Sequence, residues 1–444
     1  MCDICDIQYF FSEKQRIQLN KTLDITGVVE AAINQLYDDR KIDQPTRDEL
    51  IKSHYEPLKQ AVNEGVGVPP LSNRVGEGPG VRFEYGTPNY EFLKQLQTNT
   101  AVFAAFKAHS QIKEMAALLK DNDGNLRSKE DFKKEALKID SKYRVDHLDT
   151  QYDTAVRSAR MASQWAKFQK NKRIYPNLRY MLTKAAKPDA NHMKYVGITR
   201  PVDDAFWNAH YPPNRWRCQC SVEQTDDAAT DVPDNLPEVP AEFAFNSGKT
   251  GQVFDLKNSE YIKSVPPKEQ PALIKKAKEI VNMDAAKDLP YQTLYKSKNG
   301  AEVTYHPLEK GEPDFNQLTK TAISLANKGY DVQMLPGVKD QNLRNILLPA
   351  DIAANSKTPD YIIDKNFTAE MKDVQGTSRN SIKRPFSTSK GQSENIIINI
   401  PDGYPFSEEE VLHMVNNSWN LPEGESIKKV WVNYKGSWHF DLKK

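Results

Sequence analysis

The sequence predicts a multidomain chain with a mainly α-helical N-terminal and central region and an α/β C-terminal domain. Three observations carry that expectation. The 444 residues exceed what one ordinary hydrophobic core serves, so two or three domains are expected. From Ile25 to Phe168 apolar residues recur mostly at helical spacing. Beyond about residue 300, short β-branched runs alternate with helical stretches, the signature of an α/β domain. These shifts set expected boundaries: a helical region over 1–125, a central region over 126–257, a helical linker over 258–300 and a last domain over 301–444.

The first 65 residues read as helix, with Val28, Val29, Ala32, Ile33 and Leu36 on one face. Gly65 to Gly86 is a Gly/Pro loop; its glycines do not form a phosphate cradle, because no Gly-Lys-Ser/Thr follows and no apolar strand precedes. Gly248-Lys249-Thr250 fails the same test, with Phe243 where the first Gly should stand. Tyr90 to Lys120 is an Ala-rich helix ending at Asp121-Asn-Asp-Gly-Asn, a turn rather than a calcium loop since Gly124 is fourth and not sixth. Ser128, with Asp131 three residues on, resembles a capping box that opens a long basic helix through Tyr152, Ala155, Ala159 and Trp165. Its small residues suit close packing against another helix. An Asp/Pro-rich stretch from Asp226 to Pro240 marks a boundary, and a Lys-rich connector follows from Asn258 to Lys287.

The C-terminal strands are expected at Glu302–His306, Asp331–Leu335, Tyr361–Asp364, Phe367–Lys372, Asn395–Ile400 and Lys429–Tyr434. Helices are expected at Phe315–Lys328 and about Ser378–Lys390.

Composition removes several classes of function. Lys and Arg total 61 against 60 Asp and Glu, a net charge of +1, so no global basic field coats nucleic acid, although local patches remain open. No run approaches the roughly 18 apolar residues of a membrane helix. The acidic start Met1-Cys-Asp-Ile-Cys-Asp is not a secretory signal. Four Cys make no disulfide scaffold and point to a reducing cytosol; the terminal Cys2-x-x-Cys5 pair has no βαβ pattern around it.

The densest constellation is central: Asn191-His192, Gly197, Arg200 to Trp207, and Tyr211-Pro-Pro-Asn-Arg-Trp-Arg-Cys-Gln-Cys-Ser-Val222. Phe206, Trp207 and Trp216 are apolar anchors, and Pro212-Pro213-Asn214 enforces an extended approach and a turn. On a strand, Cys218 and Cys220 would share a face. With His192 and His210 they are residue types zinc prefers. Against zinc, C-x-C without a second Cys pair lacks the usual spacing, and buried thiols serve as small hydrophobes. Structural packing is therefore expected at His192, Cys218 and Cys220 rather than zinc. The order His192, Gly197, Asp204, Phe206-Trp207, Pro212-Pro213, Trp216-x-Cys218-x-Cys220 resembles the phage Mu F-like minor head protein family, from about Lys129 to Val222, with Phe243–Lys249 similar to the family's tail. The resemblance implies head morphogenesis, portal and capsid partners, and a place in the virion or in the host bacterial cytoplasm during assembly. It brings no catalytic residue.

The chemistry is expected farther on. Period two puts Glu370 and Lys372 on one face of their strand, and Asp360 reaches that face if a hairpin forms through Lys365-Asn366. Two carboxylates are hard ligands for Mg²⁺ or another divalent cation, and the Lys steadies developing negative charge. Gln392 closes the next helix beside the same site, and Arg379, Lys383, Arg384 and Lys390 supply a local basic face for phosphates. Ala322-x-x-Leu-Ala-x-x-Gly-Tyr-x-Val332, Leu335-Pro336, Pro359-Asp360, Glu370-x-Lys372, Ser389-x-x-Gln392 and Asn395-Ile-Ile-Ile398 resemble the C-terminal nuclease domains of contact-dependent growth-inhibition toxins. That resemblance, over about Ala301 to Phe440, implies a PD-(D/E)xK-like helix-β-β-β-helix-β core, an RNA (tRNA) substrate and a cognate immunity protein. Asn316 and Gln317 stand where such nucleases often carry a further Glu, with Glu312 just outside, which keeps a metal-free ribonuclease open. His306, Lys372, Thr388 or His413 would then supply acid, base and charge stabilisation. Two further alternatives are a purely structural head protein with an inactive tail and a zinc hydrolase built on the His/Cys cluster.

Overall fold

The computed structural model describes residues 25–67, 88–183, 189–339, 341–355, 357–389 and 391–442. Of the loop expected over Gly65–Gly86, Gly65 and Val66 instead belong to the helix Gln44–Val66, which Gly67 ends, and the rest lies outside the described residues, as do the Cys2–Cys5 pair and Lys390. The chain forms two compact units, Met1–Asn282 and Met283–Lys444. The boundaries expected at 125/126 and 257/258 therefore fall inside the first unit, and that at 300/301 falls inside the second.

The first unit is built on helices α1 (Ile25–Asp39), α2 (Gln44–Val66), α3 (Pro88–Ala117), α4 (Lys129–Ser141) and α5 (Leu148–Asn171). Asp43 caps α2, its carboxylate accepting from the Thr46 amide at 2.8 Å, and Gly67 ends it with φ 82°. Ser128 caps α4 through the Asp131 amide at 3.1 Å. The single long helix expected after Ser128 is interrupted by a π-helical stretch, Lys142–His147, between α4 and α5. Leu58, Ala61 and Val62 of α2 bury against Leu96 and Phe103 of α3 and Ala155 and Ala159 of α5. Gly65 lets α2 approach the backbone of α5: a Cβ there would lie 2.4 Å from the Val156 carbonyl oxygen. Buried polar groups tie the helices laterally. Lys107 donates to Gln151 at 2.6 Å, and Gln111 bridges His54 and Asp140 at 2.6 and 2.9 Å.

A three-stranded antiparallel sheet follows α5, in the order β2 (Thr199–Pro201), β1 (Asn177–Met181), β3 (Ser221–Thr225). The helical reading of this region missed it, because three short strands separated by loops leave no sustained alternation. Leu178, Tyr180, Trp207, Tyr211 and Val222 pack with Trp165 of α5 into its core, so the expected anchor role of Trp207 holds. Helix α6 (Gln270–Asp288) spans the division between the units.

The second unit is a mixed eight-stranded sheet whose spatial order is also its chain order: β4 (Gln292–Lys296), β5 (Glu302–Tyr305), β6 (Val332–Met334), β7 (Tyr361–Ile363), β8 (Phe367–Asp373), β9 (Asn395–Ile400), β10 (Lys429–Tyr434) and β11 (Ser437–His439). Pairs β5/β6, β8/β9 and β9/β10 are parallel and the others antiparallel. Helix α7 (Phe315–Asn327) buries Leu318, Ala322 and Leu325 on one face with Tyr361, Ala369, Met371, Ile397 and Trp431. Helices α8 (Lys383–Ser389) and α9 (Glu408–Trp419) cover the other, where Phe386, Val411, Val415 and Trp419 meet Ile396, Ile398, Val430 and Val432. Strand β4, inside the stretch expected as linker, belongs to the sheet; its polar side chains concealed it. The helix expected over Ser378–Lys390 is a 3-10 turn, Arg379–Ile382, continued by α8. Among the described residues no helix is long and apolar enough to cross a membrane.

Candidate functional site

Strands β7 and β8 form the hairpin the sequence requires for Asp360 and Glu370 to meet. Asp364 and Lys365 both take positive φ, 49° and 56°, and the Asn366 amide donates to the Ile363 carbonyl at 2.9 Å. Tyr361 then pairs with Ala369, which brings Asp360 to the level of Glu370 on the face opposite Met371. The Asp360 carboxylate accepts from the Met371 amide at 2.7 Å. Lys372 donates to Glu370 Oε1, and Gln392 Nε2 donates to that oxygen at 2.7 Å. Gln392 sits in the turn after α8 rather than within it, its amide donating to the Ser389 carbonyl at 3.0 Å.

Glu370 is 1 % exposed, and its Oε2 has no hydrogen-bond partner. Burial, then the charge of Glu370, raises Asp360 well above the ordinary carboxylate range. Burial also raises Glu370, opposed by Lys372. Two carboxylates, Glu370 buried with an unpartnered oxygen and Asp360 half-buried, are a hard-oxygen donor set short of positive charge, so the residues fit Mg²⁺ or a similar cation.

The segment that delivers Asp360 is held by a residue sequence reasoning missed. Arg344 is 3 % exposed and donates to the carbonyls of Val338, Ile352, Ala353, Asn355 and Lys357 and to the Thr358 hydroxyl. Glu309 was missed too. It is 3 % exposed, accepts from the Gly337 amide at 3.1 Å, and is pushed up to about 7 by burial. Nothing local in the sequence marks either as buried.

Other expected participants stand apart. His306 is buried, its Nδ1 accepting from the Leu308 amide at 3.3 Å, and the Thr388 hydroxyl donates to the Arg384 carbonyl at 2.9 Å. His413 is exposed on α9. Of the metal-free set only Lys372 is at the carboxylates. In the expected basic face, Arg379 pairs with Glu410 at 2.8 Å and lies over Phe406, Arg384 donates to Gln375 at 3.5 Å, and Lys383 is exposed.

In the first unit, Cys218 and Cys220 precede β3 rather than lying on it. Their sulfurs nonetheless converge on His192 Nδ1, at 3.4 and 3.3 Å. His210 does not join them; it stacks on Phe206.

Residues 97–223, from within α3 to β3, match the family model described as Phage Mu protein F like protein. Over 75 residues the chain is 32 % identical to the putative capsid assembly protein F of Escherichia phage Mu, covering 17 % of each chain. Over 82 residues it is 34 % identical to the Mu-like prophage FluMu F protein of Haemophilus influenzae, covering 18 % of this chain and 19 % of that one. The chain thus matches less than a fifth of either relative's length. No solved structure matches it.

Proposed function

We propose that this chain acts in phage head assembly through residues 97–223 and that its C-terminal unit cleaves nucleic acid, RNA in the first instance. The observation carrying the second part is the meeting of Asp360, Glu370, Lys372 and Gln392 on one face of the β7/β8 hairpin. The succession α7, β6, β7, β8, α8, β9, with two short helices, Gln341–Leu347 and Ala350–Ala353, inserted between β6 and β7, resembles the helix-β-β-β-helix-β order of PD-(D/E)xK-like nucleases, which supports the same reading. Portal or capsid proteins are the partners of the first unit on this proposal, the virion or the host cytoplasm its place, and a cognate immunity protein the partner of the second.

The roles follow from the contacts. Asp360 and Glu370 would hold the divalent cation, and the chemistry supplied there would be polarisation of the phosphodiester and activation of water. Lys372 places a positive charge at Glu370, where negative charge develops on the scissile phosphate. Gln392 fixes the Glu370 carboxylate, and Arg344 fixes the segment that carries Asp360.

The test is incubation of the full chain with tRNA and Mg²⁺. Cleavage is expected, with loss of at least 100-fold in Glu370→Ala and in EDTA, as for removal of a principal catalytic group. Cleavage surviving both would transfer the reaction to a metal-independent mechanism. A folded chain that cuts neither RNA nor DNA with any divalent ion would leave only the assembly role.

A further inference from the structure

We infer that His192, Cys218 and Cys220 form a binding site for a soft divalent cation, Zn²⁺ before others, within residues 97–223. The site is separate from the carboxylates of the C-terminal unit and stands or falls independently of any nuclease activity.

The geometry carries it. The ligand atoms of these three residues lie within 4.8 Å of one another. Zn–S bonds of about 2.3 Å and Zn–N bonds of about 2.05 Å at tetrahedral angles put sulfur roughly 3.6 Å from nitrogen. The two sulfurs stand 3.4 and 3.3 Å from His192 Nδ1, close to that tetrahedral edge. Hydrogen bonding accounts for the arrangement poorly. One imidazole nitrogen offers one lone pair or one proton, yet two thiols aim at it. Packing alone explains it no better, since small hydrophobes gain nothing from pointing at a ring nitrogen.

The surroundings hold the three donors in place. Asp189 caps the one-turn helix Ala190–Met193, its Oδ1 accepting from the amides of Asn191 at 2.8 Å and His192 at 3.3 Å. The other carboxylate oxygen of Asp189 pairs with Arg215 at 2.5 Å, which ties the His192 helix to the turn leading into Cys218. That turn closes through the Cys218 amide and the Arg215 carbonyl at 3.2 Å, and Arg217 takes a positive φ of 57° within it. Cys218 is 2 % exposed and His192 8 % exposed, so a bound ion is shielded. Three protein donors leave a fourth position for water or a small ligand. A metal here staples the β1–β2 connection to the approach of β3, in a subdomain whose sheet has only short strands. The spacing is C-x-C with a His 26 residues before the first Cys, not two Cys pairs, which is why sequence spacing argued against it.

The experiment uses the full chain, with Cys2→Ser and Cys5→Ser as background so that the two remaining thiols report only on the site. Metal analysis should give about one zinc per chain. After chelation, Co²⁺ should restore the sulfur-to-cobalt charge-transfer and the intense ligand-field bands of a tetrahedral site. Both thiols should resist a thiol reagent with Zn²⁺ present and react without it. Cys218→Ser and His192→Ala should each lose the cobalt spectrum, and circular dichroism checks that the variants fold. If a variant does not fold, the cobalt spectrum of the background chain still decides. A folded chain with no zinc, no cobalt charge transfer and thiol reactivity indifferent to Zn²⁺ would overturn the inference.

Discussion

Glu309 offers a direct test of how the C-terminal unit stores electrostatic cost. Its carboxyl is 3 % exposed and rises from the ordinary 4.5 to about 7, first because of burial. The folded chain therefore keeps this proton up to about pH 7, whereas the unfolded chain releases it near 4.5. Between those values the native state binds more protons, so stability falls as pH rises and levels off above 7. At about 1.4 kcal/mol per pKa unit, the loss between 4.5 and about 7 comes to about 3 kcal/mol. The Gly337 amide, which donates to Oε2, opposes burial and keeps the rise from going further. Glu309→Gln preserves an acceptor and removes the charge. The variant should match the parent at pH 4 and exceed it in stability at pH 8 by between about 1 and 3 kcal/mol. Hydrogen exchange of β5 and β6 peptides in the full chain, at several denaturant concentrations, reads this unit without averaging over the other. Equal stability at pH 8, or a variant less stable there, would refute the assignment of a buried, protonated carboxyl.

Two further substitutions probe packing and polar satisfaction. Gly65→Ala gains about 0.5–1 kcal/mol of helix propensity. It also drives a methyl to 2.4 Å from the Val156 carbonyl oxygen and 2.7 Å from Ala159 Cβ. Overpacking of about 1–3 kcal/mol then prevails, and thermal melting should show net destabilisation; an unchanged or raised midpoint would contradict the close α2–α5 approach. Arg344→Met strips five carbonyls and a hydroxyl of their donor, so the 338–360 segment should lose about 3 kcal/mol or more of exchange protection. Unaltered protection there would remove Arg344 from its positioning role.

Periodicity made some of this legible and geometry hid the rest. Six β-branched runs in the C-terminal half carry strands β5 to β10 because Val, Ile, Tyr and Phe both favour extended backbone and fill a sheet's faces. Period two alone set Glu370 and Lys372 beside each other, and the hairpin brought Asp360 to them. Strand β4 escaped because Gln292, Thr293 and Lys296 carry no apolar alternation; its place comes from pairing with β5. Arg344 and Glu309 escaped because burial of a charged residue is decided by distant chain, not by neighbours in sequence. The His192–Cys218–Cys220 meeting escaped for a related reason: a separation of 26 residues is bridged by a helix cap and a turn.

Because the eight strands of the C-terminal sheet lie side by side in the order of synthesis, each newly emerging strand finds its partner already waiting at the growing edge. No strand has to be threaded between two others, so no completed pairing must reopen for the next to enter. The same arrangement governs how the sheet comes apart under tension. A pull from the C-terminus would first unzip the antiparallel β10/β11 pair one hydrogen bond at a time, then meet the parallel β9/β10 and β8/β9 pairs, whose bonds are loaded together in shear. Against a pull from this end, mechanical resistance is thus concentrated in the parallel run β8 to β10, which includes the strand that carries Glu370.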